Sequence, residues 1–539
     1  MPGTESPARP GRNFGHAALV AAGILLSRIA GLIRERVFAH YLGNSDAAGA
    51  FRAALRIPNF LQNLFGEGVL SASFIPVYSK LLAEGDREQA GRVAGVVASV
   101  LALAVSVAVA IGVAFTPAFV DLVAPGFSGA LRDLTVALVR VLFPGIGLLV
   151  LSAWCLGILN SQRQFFLSYV APVAWNLAMI GTLVICGHLG WGSADLAVAL
   201  AWGTVLGCAL QLGVQVPSVL RAETGLRFGF DLSLAPVREV FRNLGPVVLS
   251  RGVVQLSAYI DGMIASYLGA AAVAGLGYAQ TLYLLPISLF GMSVAAAELP
   301  EMSGAVGTAD EIHARLRDRL IAGQRQIAFF VIPSVVALLL LGRYLVSGLF
   351  QTGQFSEKDT LYVWYILLGS TVGLLAATWG RLYSSAFYAL RDTRTPLAFA
   401  VVRVALTAGL GVLFAFPLRP WLVWLLYDAL GLPRAAVDDL ALGAVGLTSS
   451  AGVAAWIEFL LLKRALTKRI GPTAVSAGFQ AALWALALCG AAGAVALGRV
   501  LEVRSPALAA LCIAGCFGVI YLSAAVVAGV PEVRKLISR

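Results

Sequence analysis

Fourteen apolar runs, each long enough to cross a hydrocarbon core of roughly 30 Å as a helix of about 20 residues, occupy most of the chain. Their spans are 17–42, 49–83, 92–120, 131–158, 165–188, 194–220, 237–267, 272–302, 325–351, 360–390, 395–417, 440–466, 474–499 and 506–529. In lipid no water satisfies a bare N–H or C=O, so such segments must be helices whose backbone bonds close within each span. Composition agrees. Hydrophobic residues make up 59% of the 539 and charged residues 12%, with a mean hydropathy of +0.85, where an ordinary soluble domain is about a quarter charged. The expected fold class is an all-α polytopic membrane protein with 14 transmembrane helices.

An even number of spans puts both termini on one side, and the loop charges choose that side. Lysines and arginines number 23 on the face holding the termini against 6 on the other, so the positive-inside rule makes both termini cytoplasmic. The net charge of +11 follows from this topology; it is not gathered on one soluble domain, and no nucleic-acid partner is expected. Residues 1–13 are polar and Pro-rich, and the apolar stretch behind them contains arginines and lacks a small-residue cleavage site. They read as a disordered cytoplasmic tail, not a cleaved signal. Cys155, Cys186, Cys208, Cys489, Cys512 and Cys516 all fall in apolar stretches without a CxxC pair and read as packing residues. The histidines, His16, His40, His188 and His313, are scattered, with no nucleophile–base pairing or metal spacing. A membrane enzyme therefore finds no support, and no cofactor or metal is indicated.

The spans are not independent. LSRIAGLIRERVFAHYLG from Leu26 is echoed by LSRGVVQLSAYIDGMIASYLG from Leu249, each followed by a short loop and a helix containing proline, Pro58 in one case and Pro286 in the other. NSQRQFFLSYVAP from Asn160 and ALRDTRTPLAFAV from Ala389 keep the same register, each joining the fourth helix of its half to the fifth. Two pseudo-symmetric six-helix lobes are expected, at 14–222 (helices 1–6) and 223–470 (helices 7–12), with 471–539 holding the last two helices and a cytoplasmic C-terminus. Duplicated halves in a membrane protein point to a transporter that binds between them. The matched prolines are expected to mark bends, because each removes a helical hydrogen bond.

Arginines in apolar spans are the anomaly. Each costs about 2.5–3.5 kcal/mol at the bilayer centre on insertion scales, so something anionic or wet must offset it. Helices 1 and 2 hold Arg28, Arg34, Arg36, Arg52 and Arg56 with Glu35 and Glu67, whereas helices 7 and 8 hold Arg251, Asp261, Glu298 and Glu301. Arg28 and Arg34 are six residues apart, about 240° around the axis, so they do not share one narrow face. Arg34 could pair with Asp46 or Glu67, and Arg36 could snorkel to the interface. Two carboxylates cannot neutralise five guanidiniums, and a cationic, wet cleft suits an anionic substrate such as phosphate or pyrophosphate. An exporter of small cations would want carboxylates and aromatics instead. Helices 13 and 14 are almost uncharged and could form an apolar furrow for a lipid tail or pack as inert helices.

SRIAGLIRERVFAHYLG followed by FRAALRIPNFLQNLFGEGVLSASFIPVYSKLL, between Ser27 and Leu82, resembles the N-terminal signature of the MurJ (MviN) family of lipid II flippases, within the superfamily of MATE exporters and polysaccharide flippases. FQTGQFSEKD from Phe350 and FYALRDTRTPLAFAVV from Phe387 resemble two further family stretches in the same order. The resemblance implies alternating access between two lobes in the bacterial cytoplasmic (inner) membrane. Lipid II, the undecaprenyl-pyrophosphate-linked peptidoglycan precursor, would pass from the cytoplasmic to the outer leaflet for cell-wall synthesis, its tail against the last two helices. It further implies a monomer, with membrane lipids and the lipid-linked precursor as partners and association with the cell-wall synthesis machinery left open.

By the same resemblance Arg28, Arg34 and Arg56 would bind the pyrophosphate or head group. The chain departs from the family at Gln62 and Thr281, where arginines are expected, and near Gly49, where an acidic residue is expected and Asp46 lies three positions earlier. Arg52 and Arg251 are the candidate replacements, with Asp46, Glu67 and Asp261 as structural or gating acids. A paralogue moving another polyprenyl-linked oligosaccharide stays open, as does, more remotely, a MATE-like antiporter. Some relatives hold sodium through a seventh-helix carboxylate near the place of Asp261; here helix 11 carries Arg403 and no second carboxylate. An ion pair of Asp261 with Arg403 or Arg251 is therefore expected, with sodium as the alternative.

Overall fold

The computed structural model describes residues 10–533 apart from 224, 305–307, 436, 501, 502 and 504, and their side chains except at 10–21, 61, 64, 67, 165, 246, 247, 249–258 and 309. The described residues form helices and connecting turns, in two compact units, Met1–Met263 and Ile264–Arg539. The first contains α1 (Pro10–Leu42), α2 (Asp46–Phe65), α3 (Glu67–Ala83), α4 (Arg87–Ala114), α5 (Thr116–Val123), α6 (Gly129–Ser161), α7 (Phe165–His188), α8 (Ser193–Ala222) and most of α9 (Ala235–Tyr267). The second contains α10 (Ala270–Pro286), α11 (Ser293–Ser303), α12 (Ala309–Val336), α13 (Gly342–Phe350), α14 (Glu357–Thr371), α15 (Leu374–Ala389), α16 (Arg394–Ala415), α17 (Arg419–Trp424), α18 (Gly443–Ile470), α19 (Ala477–Val500) and α20 (Pro506–Val527).

Thirteen of the fourteen expected runs are helical at their centres, and the run 49–83 is broken at its centre, Gly66. Among the described residues ten helices are long and apolar enough to cross a membrane, or eleven if the α14–α15 pair, bent by 42°, is one span. α2 is not among them, because Arg52, Arg56, Asn59, Gln62 and Asn63 offset its apolar residues. The outer faces carry exposed Leu103, Leu177, Trp202, Leu511 and Val519, as lipid-facing helices should.

In the first unit α6 is the central post, packed against α8, α2, α4 and α3 and buried at Leu138, Val139, Val150, Cys155 and Ile158. In the second, α15 takes that place: it packs on α18, α11 and α12 and is buried from Leu374 to Gly380. α19 and α20 pack on each other and on α12 and α13, so they are integrated with the second unit. Arg325 of α12 pins them, donating to Glu532 at 2.8 Å and lying 4.2 Å over the Phe479 ring.

The two prolines do not behave alike. Pro58 sits inside an uninterrupted α2, and the break falls at Gly66, whose amide donates to the Gln62 carbonyl at 2.7 Å. A Cβ at Gly66 would collide with that carbonyl oxygen, so glycine is what lets the chain turn there. Pro286 leads directly into a π-helical turn, Ile287–Met292, where the freed backbone groups are re-registered. One backbone turn does recur. Arg163 (φ 62°) and Arg391 (φ 58°) both adopt the left-handed conformation, each following a helix whose end is closed by the same bonds: Gln164 to Leu159 in one, Asp392 to Phe387 in the other.

Two expectations need correction. Among the cysteines, Cys155 and Cys208 are buried, but Cys489 and Cys512 are exposed on α19 and α20 and face away from the packed core. Helix α1 already begins at Pro10, inside the expected tail, while residues 1–9 lie outside the described residues.

Candidate functional site

The turn Gly43–Ser45 folds α2 back after α1, and Gly43 takes φ 58° to make it. Ser45 caps α2, and its side chain accepts the Ala48 amide. This hairpin brings Arg52 to Glu35. The Glu35 carboxylate accepts from Arg34 Nη2 and from Arg52 Nη2, both at 2.7 Å. All three side chains are shielded, with 12% exposure at Glu35, 19% at Arg34 and 16% at Arg52. Aromatic faces complete the clamp: Arg34 lies 4.9 Å over Trp175 of α7, and Arg52 lies 4.8 Å over Phe38. Each supplies a cation–π contact where water is scarce.

Arg56 follows Arg52 by one turn and so shares its face of α2. Tyr259 of α9 donates its hydroxyl to the Arg56 carbonyl at 2.6 Å, and Phe60 meets the Tyr259 ring edge-on at 5.3 Å. The Arg56 guanidinium lies against the backbone of Gly262, where any Cβ would overlap Nη1. Asp261, Tyr259 and Arg52 are its electrostatic neighbours. Among the described residues of the first unit these contacts link Arg34, Glu35, Arg52, Arg56 and Asp261, three guanidiniums against two carboxylates. The excess is cationic.

The expected site residues divide into three groups. Arg34, Arg52, Arg56 and Asp261 are brought together. Arg28 stands exposed on α1, about 9 Å along the axis from Arg34. Asp46 is exposed in the first turn of α2, where its charge complements the helix dipole, and it makes no ion pair among the described residues. The side chains of Glu67 and Arg251 lie outside the described residues. Gln62 and Thr281 are half-buried, and Thr281 turns its hydroxyl back to the Gly277 carbonyl at 3.1 Å.

The pairing expectations also change. Arg34 is held by its neighbour Glu35 and not by Asp46, because a long guanidinium can fold back along the helix to reach a side chain that leaves it at about 100°. Arg403 pairs with Glu458 of α18 at 3.0 Å, a partner on an adjacent packed helix. In the sequence Glu35 counts only as one of two carboxylates among five arginines, and Trp175, Tyr259 and Glu458 carry no assigned role. The one available signal was Glu35 sitting between two arginines; the other three are distant in sequence and only packing reveals them.

Comparison with known proteins gives the context. A family model described as lipid II flippase MurJ matches residues 38–424. "Lipid II flippase MurJ" of Burkholderia cenocepacia is 31% identical over 466 residues, 85% of this chain and 84% of that protein. "Probable lipid II flippase MurJ" of Rhizobium meliloti (strain 1021) is 30% identical over 459 residues, 84% of this chain and 80% of that protein. Among solved structures, "Lipid II flippase MurJ, inward closed conformation" superposes with a TM-score of 0.75 at 22% identity, covering 96% of this chain and all of that one. An inward-facing multidrug resistance MATE family transporter of the MOP superfamily gives 0.61 at 19% identity, over 85% of this chain and 100% of that one. These two share the fold. With the family model spanning more than two thirds of its length, this multi-pass membrane chain belongs to the MurJ family of lipid II flippases.

Proposed function

We propose that the protein is a lipid II flippase, carrying the undecaprenyl-pyrophosphate-linked precursor from the cytoplasmic to the outer leaflet of the bacterial inner membrane for peptidoglycan synthesis. The observation that carries this reading is the guanidinium excess on α1 and α2, where Arg34, Arg52 and Arg56 share Glu35 and Asp261. A surplus of fixed, always-charged forks in apolar surroundings is what a pyrophosphate needs and what a cationic cargo would avoid. Arg28, Arg34 and Arg56 fall where the family's head-group arginines are expected, with Arg52 and Arg251 as supplementary cations. Asp46, Glu67 and Asp261 serve as structural or gating acids.

In this reading the lobes 14–222 and 223–470 alternate access, and 471–539 supplies the furrow for the polyprenyl tail. Both termini are cytoplasmic. The carrier is a monomer that makes and breaks no covalent bond in its cargo, uses no metal, and works beside the cell-wall synthesis machinery. A second reading, a paralogue for another polyprenyl-linked oligosaccharide, is favoured by one observation: Gln62 and Thr281 are uncharged where the family expects arginine.

Complementation tests the assignment. In a strain depleted of its lipid II flippase, the wild-type chain restores growth and Arg28→Ala and Arg34→Ala do not, although all are inserted to the same level. Insertion of wild type without rescue would sink the lipid II reading, and rescue by Arg28→Ala would remove that residue from the site.

A further inference from the structure

Arg381 stands in the middle of α15, about two turns from either end. The helix around it is buried at Leu374–Gly380, Leu382, Tyr383 and Ser385–Phe387, yet Arg381 itself is exposed. It makes no ion pair among the described residues. Its electrostatic neighbours, all within the second unit, are Arg403 of α16, Tyr283 of α10 and Glu458 of α18. Glu458 is already committed to Arg403 at 3.0 Å and is itself only 12% exposed. Two guanidiniums thus face one carboxylate, with a tyrosine hydroxyl close to both cations.

A helix that is otherwise sealed has no reason of packing to present an arginine at mid-depth, and lipid is a poor neighbour for it. An anion is a good one. We infer that Arg381, with Tyr283 and Arg403 beside it, forms an anion-binding site of the second unit that takes the phosphoryl oxygens of a polyprenyl pyrophosphate. The inference rests on the flippase reading for the identity of the cargo. A bidentate fork plus a hydroxyl donor matches a phosphoryl group, and Glu458 keeps the second arginine from doubling the charge.

The full-length protein in lipid nanodiscs is titrated with three probes: undecaprenyl pyrophosphate, lipid II, and lipid II whose peptide carboxylates are amidated. Arg381→Ala should weaken all three by about tenfold to a hundredfold, the loss expected when a charge-assisted contact is removed. Arg381→Lys should recover part of that loss, since it keeps the charge and loses the fork. Glu458→Gln should tighten undecaprenyl pyrophosphate several-fold by releasing Arg403, a gain that a merely structural role would not produce. Unchanged affinity in Arg381→Ala overturns the inference, as does a loss confined to the probe with free peptide carboxylates. Should Arg381→Ala fail to fold, an unchanged affinity in Glu458→Gln overturns it instead. If the wild-type chain binds undecaprenyl pyrophosphate in an Arg381-dependent way but does not bind lipid II, the site stands and the lipid II assignment falls.

Discussion

In the first unit Glu35 carries two guanidiniums at 2.7 Å, and none of the three side chains is more than a fifth exposed. In the second, Glu458 carries only Arg403, at 3.0 Å, and that arginine is 39% exposed. The same chemistry therefore does different work. Around Glu35 the charges are shielded and stacked on Trp175 and Phe38, so the carboxylate is a condition for keeping α1, α2 and α7 together. Around Glu458 one arginine is half-solvated and another, Arg381, is exposed, so the carboxylate adjusts a charge more than it supports a fold.

Removing the carboxylates is the strongest way to break this contrast. Glu35→Gln strands two shielded cations and should destabilise the protein by about 3 kcal/mol, the lower end for a broken buried pair because some solvent reaches it. Glu458→Gln should cost less than about 1 kcal/mol, as for a partly exposed pair. Unfolding of the purified proteins in one detergent measures both. Equal losses would mean that the two clusters are hydrated alike.

Next in size is a change that moves a charge without removing it. Gly262→Ala places a methyl group where the Arg56 guanidinium now lies, and the flexible fork must swing away. A displacement of about 1 Å at a reacting or binding group can cost up to about a hundredfold in rate, so we expect transport in the depletion strain to fall at least tenfold. Thermal stability should stay near wild type, because the obstructed atom is the mobile end of a side chain. Full transport by Gly262→Ala would show that the position of Arg56 is not critical.

These two tests address residues that the sequence made visible to different degrees. The spans were legible because lipid leaves a chain few options, and twenty apolar residues in a row have one solution. The cationic excess on helices 1 and 2 was legible for the same reason, since arginine is conspicuous there. Pairing was not. Asp46 was a plausible partner for Arg34 by position, yet rotamer reach decided for Glu35, and Arg403 found Glu458 because α16 packs along α18. The bend after Pro58 was misplaced by about two turns, because a membrane helix tolerates proline, while Gly66 alone has room for the turn.

A smaller effect tests the aromatic side of the first cluster. Trp175→Leu keeps an apolar group beside α1 but removes the ring face under Arg34. The loss should be about 0.5–2 kcal/mol, visible as a modest drop in melting temperature, with Arg34 still on Glu35. A loss as large as that of Glu35→Gln would mean that the ring, not the carboxylate, holds the arginine.

The smallest expected effect comes from the turn that the two units share. After Arg391 the Asp392 carboxylate accepts the Arg394 and Thr395 amides at 3.0 Å and the Thr395 hydroxyl at 2.7 Å, and Arg469 lies at 2.7 Å. After Arg163 the equivalent position is Gln164, which makes no such cap for α7. The Thr395 amide and hydroxyl bonds, with Arg469 behind them, hold the Asp392 carboxyl down to about 2, against about 3.9 for a free aspartate. A carboxyl held low in the folded protein favours folding fully above its unfolded value, and that contribution is lost as pH falls through the interval between about 4 and 2. Asp392→Asn should therefore lower stability slightly at pH 6 and flatten the fall in stability between pH 4 and pH 2. Gln164→Asp should do the reverse, adding a cap and a new acid sensitivity to α7. Melting curves of the two variants across that range decide the matter, and if Gln164→Asp leaves α7 unaffected, the shared backbone turn does not by itself prepare a capping site.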